Sequence, residues 1–209
     1  MSQKLVHVIL LIVFSTFMMV PPGYTLPQGG SVVGGDANAE ISSTATTMTV
    51  DQYAANVVIN YDSFSIAAPE TVTFNQPNSS SIALNRVGIS GGMSEIYGHL
   101  NANGRIFLIN PNGILFGAGA QVNTAGMLAS TLAISDGDFM AGNYNFTMPA
   151  MEGTVGTVVN QATLFSPGGF VALLGPRVTN AGAIIANTGS IALASGNSMT
   201  VSLDPSNIV

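Results

Sequence analysis

Short apolar runs set off by Asn, Pro and Gly recur along this chain. In Asn101–Thr131 the runs Ile106–Ile109 and Ile114–Phe116 are separated by Asn110-Pro111-Asn112-Gly113, and a third, Met127–Ala129, follows the Asn- and Gly-bearing link Gln121–Gly126. Such runs are too short for helices and too close together to enclose crossover helices. They predict strands of a few residues with a turn at each corner. Upstream, Val57–Ile66 sets Val58, Asn60 and Asp62 against Ile59, Tyr61 and Ser63, which predicts a half-buried strand. Glu70–Phe74 and Ser81–Val87 repeat the habit, Met48–Val50 is a further strand candidate, and the Gly-rich Leu26–Asp36 predicts a first edge strand. This opening part is expected to cap one end of something longer.

A period then emerges. Asn103 and Asn123 are twenty residues apart, as are Asn160-Gln161-Ala162-Thr163 and Asn180-Ala181-Gly182-Ala183; Val171–Leu174 and Ile191–Ala194 share that offset. Strand-forming repeats at this interval mark a solenoid. A leucine-rich repeat needs a fixed Leu/Asn consensus that is absent, so a parallel β-helix fits better. At ~20 residues and ~4.8 Å per turn, the chain after residue 25 has room for at most about nine turns. Inward Val, Ile, Leu, Ala and Phe would fill the lumen, Gly and Asn would turn the corners, and stacked Asn side chains could bond from turn to turn. Asp136–Met151 breaks the rhythm and predicts an extra hairpin or loop laid against the coil. The last residues read as strand and turn rather than a polar cap, which suggests the front of a longer protein or a shortened copy of one.

Composition narrows the function classes. Charged residues are 7% of the chain and the net charge is −6, an unpromising balance for a nucleic-acid partner. The absence of cysteine excludes a disulfide framework and a thiol nucleophile. At the start, Lys4, the apolar Leu5–Val20, Pro21-Pro22-Gly23 and the small residues Gly23 and Thr25 predict a cleaved export signal over residues 1–25. Sixteen apolar residues fall short of the roughly 20 that a membrane span needs, so no stable span is expected after cleavage.

The motifs themselves resemble a known family. Asn110–Thr131, NPNGILFGAGAQVNTAGMLAST, is similar to the signature of the filamentous-haemagglutinin N-terminal domain, the two-partner secretion domain. Agreement extends over Leu26–Leu203: LPQGG opens it, INYDSFSI, FNQPNSSSIALNRV and GRIFLINPNGILFG follow in order, and VTNAGAIIANTGSIALASG matches the closing rungs. The closer similarity is to the high-molecular-weight adhesin and haem–haemopexin subgroup. The resemblance implies an all-β fold, a right-handed parallel β-helix with an N-terminal cap of strands and hairpins, over residues 26–209. It also implies a non-catalytic secretion module of a large exported adhesin-type protein of Gram-negative bacteria, recognised by an outer-membrane barrel transporter through its periplasmic POTRA modules. The destination would be outside the cell or on its surface, by way of the periplasm, with any host-cell or matrix target met by downstream regions. The secretion determinants it implies are the Asn-rich motifs, here Gln76, Asn78 and Asn85, and Asn110, Pro111, Asn112, Gly113 and Ile114. The first motif departs from the NPNL form of some members.

Ordinary chemistry offers competing readings. Asn110–Gly113 is first of all a turn, and a corner without a recognition role would look the same. Asp136 and Asp138 flank a glycine and read as a solvated turn rather than a cation or glycosidic site. His99 lacks a second His or Cys for a metal site, and Arg86, Arg105 and Arg177 are scattered, with pairing to nearby acids their default. No cofactor is implied. A β-helical polysaccharide lyase or hydrolase would need several carboxylates and cations converging on one groove, which the dispersed acids do not support. A truncated, non-functional remnant is the third alternative.

Overall fold

The computed structural model describes residues 25–34, 39–150, 153 and 155–203. The export signal over residues 1–25 falls almost wholly outside them. The cap holds β1 (Ser31–Gly34) and β2 (Ala39–Ser43), and the coil opens with β3 (Thr47–Gln52) and β4 (Asn56–Tyr61). It continues through β5 (Thr71–Asn75), β6 (Ile82–Val87), β7 (Ser94–Ile96), β8 (His99–Ala102), β9 (Arg105–Ile109), β10 (Ile114–Phe116), β11 (Gln121–Asn123) and β12 (Gly126–Ser130). An excursion carries α1 (Asp136–Met140) and β13 (Tyr144–Thr147). The coil resumes with β14 (Val158–Asn160), β15 (Thr163–Phe165), β16 (Phe170–Gly175), β17 (Val178–Asn180), β18 (Ala183–Ile185) and β19 (Ser190–Ser195), and β20 (Ser198–Val201) follows.

Two sheets run the length of the coil and a third, shorter one joins them from β7 onward. One, the clasped face, stacks β1-β4-β6-β9-β12-β16-β19; the open face stacks β2-β3-β5-β8-β11-β15-β18; a short face stacks β7-β10-β14-β17. Every pairing within the coil is parallel, whereas β1 on β4 and β2 on β3 are antiparallel. The expected parallel β-helix with its cap of strands and hairpins is therefore the architecture observed, with about six turns. Antiparallel cap strands cover the near end, where the first coil strands would otherwise offer free edges.

The turns are unequal in length. Tyr61 pairs with Val87, 26 residues on, and Thr71 with His99, 28 on, whereas Val171 pairs with Ile191, 20 on. The twenty-residue period holds where Asn160 faces Asn180 and Val171–Leu174 face Ile191–Ala194. It fails for Asn103: Asn123 faces Asn101, and Asn103 lies in the turn after β8. The Gln121–Gly126 link contains a strand of its own, β11, with Val122 turned into the lumen.

Two apolar cores result. The lumen is filled from all three faces by residues such as Val57, Ile59, Phe74, Leu100, Ile106, Leu108, Ile114, Val122 and Leu173. The second lies outside the clasped face, where Val58, Leu84, Phe107, Leu128, Phe170 and Leu174 meet Phe139, Phe146 and Val201. The stretch of residues 131–147 is thus laid against the coil as expected, though it brings a helical turn as well as a strand. Phe107 is its centre, with ring centroids 6.0 Å from Phe139, 5.4 Å from Tyr144 and 6.4 Å from Phe170, all edge-on. Such arrangements each contribute about 0.5–1.5 kcal/mol beyond area burial.

The second core explains why Val57–Ile59 is buried on both sides, whereas further along Asn60 and Asp62 stay open to solvent opposite the buried Ile59 and Tyr61, as the half-buried reading expects. Val57 and Ile59 enter the lumen, Val58 enters the outer core, and all three are inaccessible to solvent. On the open face the simple alternation persists: in β3 and β5, Met48, Val50, Val72 and Phe74 point in while Thr and Asn positions meet solvent. At the far end the inward Ile191 and Leu193 are about half exposed (49% and 48%), because among the described residues no rung lies over them. No helix among the described residues is long and apolar enough to cross a membrane.

Candidate functional site

The eight residues implied by the resemblance lie at two different corners of the coil and on one strand between them. Gln76 turns the chain from the open to the clasped face after β5. Its side chain is buried, and its Nε2 donates to Gln52 Oε1 (3.0 Å), to the Ser81 carbonyl (3.1 Å) and to the Arg105 carbonyl (3.3 Å). Asn103, one turn on, accepts from the Gln76 N–H (2.6 Å) and donates to its carbonyl (2.7 Å). Gln52, Gln76 and Asn103 thereby form a column of carboxamides that satisfies corner backbone from turn to turn. Asn78 is exposed; its Oδ1 accepts the N–H groups of Ser80 (2.8 Å) and Ser81 (3.1 Å), a local turn that shapes the loop.

Asn85 is on β6, wholly buried, at an inward position of the strand between Ala83 and Val87 of the lumen core. Its Nδ2 donates to the carbonyls of Ala83 (3.1 Å) and Phe107 (3.4 Å). No partner approaching from outside can touch it.

Asn110–Gly113 turns the chain from the clasped to the short face. Asn110 is fully buried and organises the corner: Nδ2 donates to the Gly92 carbonyl and to Ser94 Oγ, both at 2.9 Å, and Oδ1 accepts the Asn112 N–H (2.9 Å) and Asn112 Nδ2 (3.1 Å). Asn112 Nδ2 reaches on to the Gly88 carbonyl (3.1 Å). Pro111 is buried and accepts from the Gly156 N–H (2.8 Å), while the Gly113 N–H closes the turn on the Asn110 carbonyl (3.1 Å). Gly113 has φ +124°, a value that favours glycine. Gly156 passes so close that a Cβ there would stand 2.4 Å from the Asn112 carbonyl. Ile114 starts β10 with its side chain in the lumen. The turn is clamped between the corner at Gly88–Gly92 on one side and residues 155–157 on the other.

Of the eight, only Asn78 is exposed and Asn112 half-buried; the rest are buried. The chemistry of the corner side chains is backbone satisfaction, Asn85 and Ile114 lie on strands, and what the group offers outward is the shape of two loops. Ser94, a buried partner of Asn110, and the Gly88, Gly92 and Gly156 backbone complete this corner without standing out in the sequence; the cluster Gly88-Ile89-Ser90-Gly91-Gly92 is the signal that marks it.

The remaining candidates are structural. Asp136 and Asp138 occupy the first turn of α1, where Ser135 Oγ caps by accepting the Asp138 N–H (3.0 Å). Arg86 forms an ion pair with Asp136, donates from Nη1 to the Ile134 carbonyl (3.3 Å) and from Nε to Asn60 (3.0 Å), and so ties the excursion to β4 and β6. Arg105 pairs with no acid among the described residues and lies over the Phe170 ring, 5.9 Å from its centroid. His99 is half-buried on the open face beside Thr71 and Gln121. Among the described residues no three His, Cys, Asp or Glu side chains gather as a metal site would require.

Comparison with known proteins gives a consistent picture. The chain is 39% identical over 211 residues to the heme/hemopexin-binding protein of Haemophilus influenzae strain Rd, an alignment covering 97% of this chain and 23% of that protein. A second heme/hemopexin-binding protein of Haemophilus influenzae is 40% identical over 121 residues, 58% of this chain and 13% of its own length. This chain therefore spans about a quarter of the first relative's length. The crystal structure of the HMW1 secretion domain from Haemophilus influenzae superposes with a TM-score of 0.78 at 37% identity, covering 84% of this chain and 46% of that one. The family model of the TPS secretion domain matches residues 24–207. From the cap to the last rung, then, this chain belongs to the TPS (two-partner secretion) secretion domain family.

Proposed function

We propose that residues 26–209 act, once the leader is removed, as the non-catalytic secretion module of a longer exported adhesin-type protein. A cognate outer-membrane barrel engages the module through periplasmic POTRA modules, and the coil folds as the chain leaves the cell. What supports this best is the family match over residues 24–207, joined to relatives far longer than this chain. The Asn78 loop and the Asn110–Gly113 corner are the recognition elements of this reading, acting through loop shape and through Asn78 and Asn112.

The coil is suited to driving such export. No nucleotide is available at the outer membrane, and each completed rung buries apolar side chains against the one before, which hinders backsliding. The uncovered Ile191 and Leu193 form the seat for rungs beyond this module, and any host-cell or matrix target is met by those later regions.

Coexpression with a cognate barrel tests the proposal. The protein is expected in the medium only when the barrel with its POTRA modules is present. Equal release without the barrel, or retention in the cell with it, would overturn the reading. A lumen variant such as Leu108→Ala should lower the released yield; unchanged yield would remove folding as the driving force.

A further inference from the structure

Glu70 sits in the turn before β5 and is wholly inaccessible to solvent. Its Oε1 accepts the N–H groups of Thr25 (2.7 Å) and Leu26 (3.2 Å); its Oε2 accepts the Ala67 N–H (2.6 Å) and Thr25 Oγ1 (3.3 Å). All these donors are neutral, and the one ion pair among the described residues is Arg86–Asp136, elsewhere on the coil. Amide donors satisfy the oxygens' lone pairs but leave a carboxylate charge buried without a counter-charge, a costly arrangement. The residues it holds are those that follow the apolar leader. Leu26 is already packed into the lumen core and Gln28 bridges Ser63, while Thr25 is exposed.

We propose that Glu70 is the seat of the α-ammonium group created when the leader is cut off. Hydrolysis of the peptide bond on either side of Thr25, by a leader peptidase and one water, sends the acyl half away as the leader's carboxylate. The nitrogen left behind takes up a proton and becomes a primary ammonium. That nitrogen already lies 2.7 Å (Thr25) or 3.2 Å (Leu26) from Oε1. The uncut chain places a neutral amide there; the cut chain places a cation against the buried carboxylate and gains a charge-assisted hydrogen bond. Processing thus completes the cap: the near end of the coil reaches its full stability only in the trimmed chain. This rests on removal of the leader and not on recognition by a barrel.

Lys4 is the chain's single lysine, so the trimmed chain carries one primary amine, at its N-terminus. The full chain is produced with its own leader in a Gram-negative host, the start of the processed product is read by mass spectrometry, and labelling by an amine-acylating reagent is timed at neutral pH. The product should begin at Thr25 or Leu26. Its amine should react about tenfold or more slowly in the folded wild type than in Glu70→Gln or in urea. A start upstream of Thr25 or beyond Leu26, or equal rates in folded and unfolded wild type, would overturn the proposal. So would equal rates in a folded Glu70→Gln variant. If the host does not process the chain, the same N-terminus is made by cutting a fusion at Leu26 with a protease that leaves no residue behind. A companion product with two extra glycines should then label rapidly and melt lower, and identical behaviour of the two would refute the seat independently of export.

Discussion

Asn160 donates from Nδ2 to Oδ1 of Asn180, one turn further along the short face, at 2.8 Å. The Asn160 Oδ1 meanwhile accepts the Ala162 N–H (3.0 Å), so one carboxamide serves both its own corner and the next rung. Asn160 is fully buried and Asn180 is exposed. Asn160→Ala should therefore cost about 1–3 kcal/mol, the usual toll of stranding buried polar groups, and Asn180→Ala less. Urea unfolding of the two variants checks the order; equal losses would mean that the ladder bond, not the buried corner, dominates.

Phe107 joins the coil to its excursion. Replacing it with Ala removes a side chain that touches Phe139, Tyr144, Phe146 and Phe170 at once, and should cost about 3–5 kcal/mol. Amide exchange should rise first in residues 136–147, since their main apolar anchor is gone. Exchange that rises uniformly along the coil would contradict a separable outer core.

The two asparagines of the Asn110–Gly113 corner should separate folding from recognition. The Asn110 side chain makes four buried or part-buried bonds, two beyond its own turn and two within it, so Asn110→Ala should lower stability by about 2 kcal/mol or more and reduce secretion as a consequence. Asn112→Ala, at a half-buried position, should leave the melting temperature within a few degrees of wild type while still reducing release through a cognate barrel. Release of Asn112→Ala at the wild-type level would reduce the motif to a corner.

Tyr61 should make the coil alkali-sensitive. Its phenol is buried in the lumen without a hydrogen-bond partner, and burial holds its pKa well above the ordinary value of about 10. In the unfolded chain the phenol ionises near pH 10, while the folded chain keeps its proton. The neutral form's contribution is complete below that pH, and stability falls above it by up to about 1.4 kcal/mol per pH unit. Tyr61→Phe should match or exceed wild type at pH 7 and lose less between pH 10 and 12, as followed by urea midpoints. Parallel pH profiles for the two would exclude Tyr61 as the source.

Much of the fold was written in the apolar runs, and the misses have physical causes. β9, β10 and β12 were visible because their inward residues stand in uninterrupted runs. β11 was not, since Gln121 and Asn123 flank a single inward Val122 and resemble a linker. Asn103 misled the count because early corners vary in length, and equal spacing there does not mean equal height on the coil. The five residues of α1 are too few to show a helical period. Strands buried on both sides, such as β4, gave no warning of the outer core, because what covers them comes from residues 131–147 and β20. At the two proposed Asn-rich motifs, residue type marked the corners at Gln76–Asn78 and Asn110–Gly113, but sequence could not say that Asn85 would lie buried on β6 or that Asn110 would be sealed beneath its own turn.

β20 abandons the short face and runs antiparallel to β13, with Tyr144 opposite Val201 and Thr200 bonded to Asn145. A stack of rungs is otherwise a one-dimensional object in which each level knows only its neighbours. This strap ties the fourth and sixth levels together, so the last rungs cannot peel away singly. In a chain emerging front first, the early levels could settle as they appear, but the outer hydrophobic seam could not zip shut until residue 201 had arrived. The strap therefore adds one locking step, at residue 201, to an otherwise gradual winding.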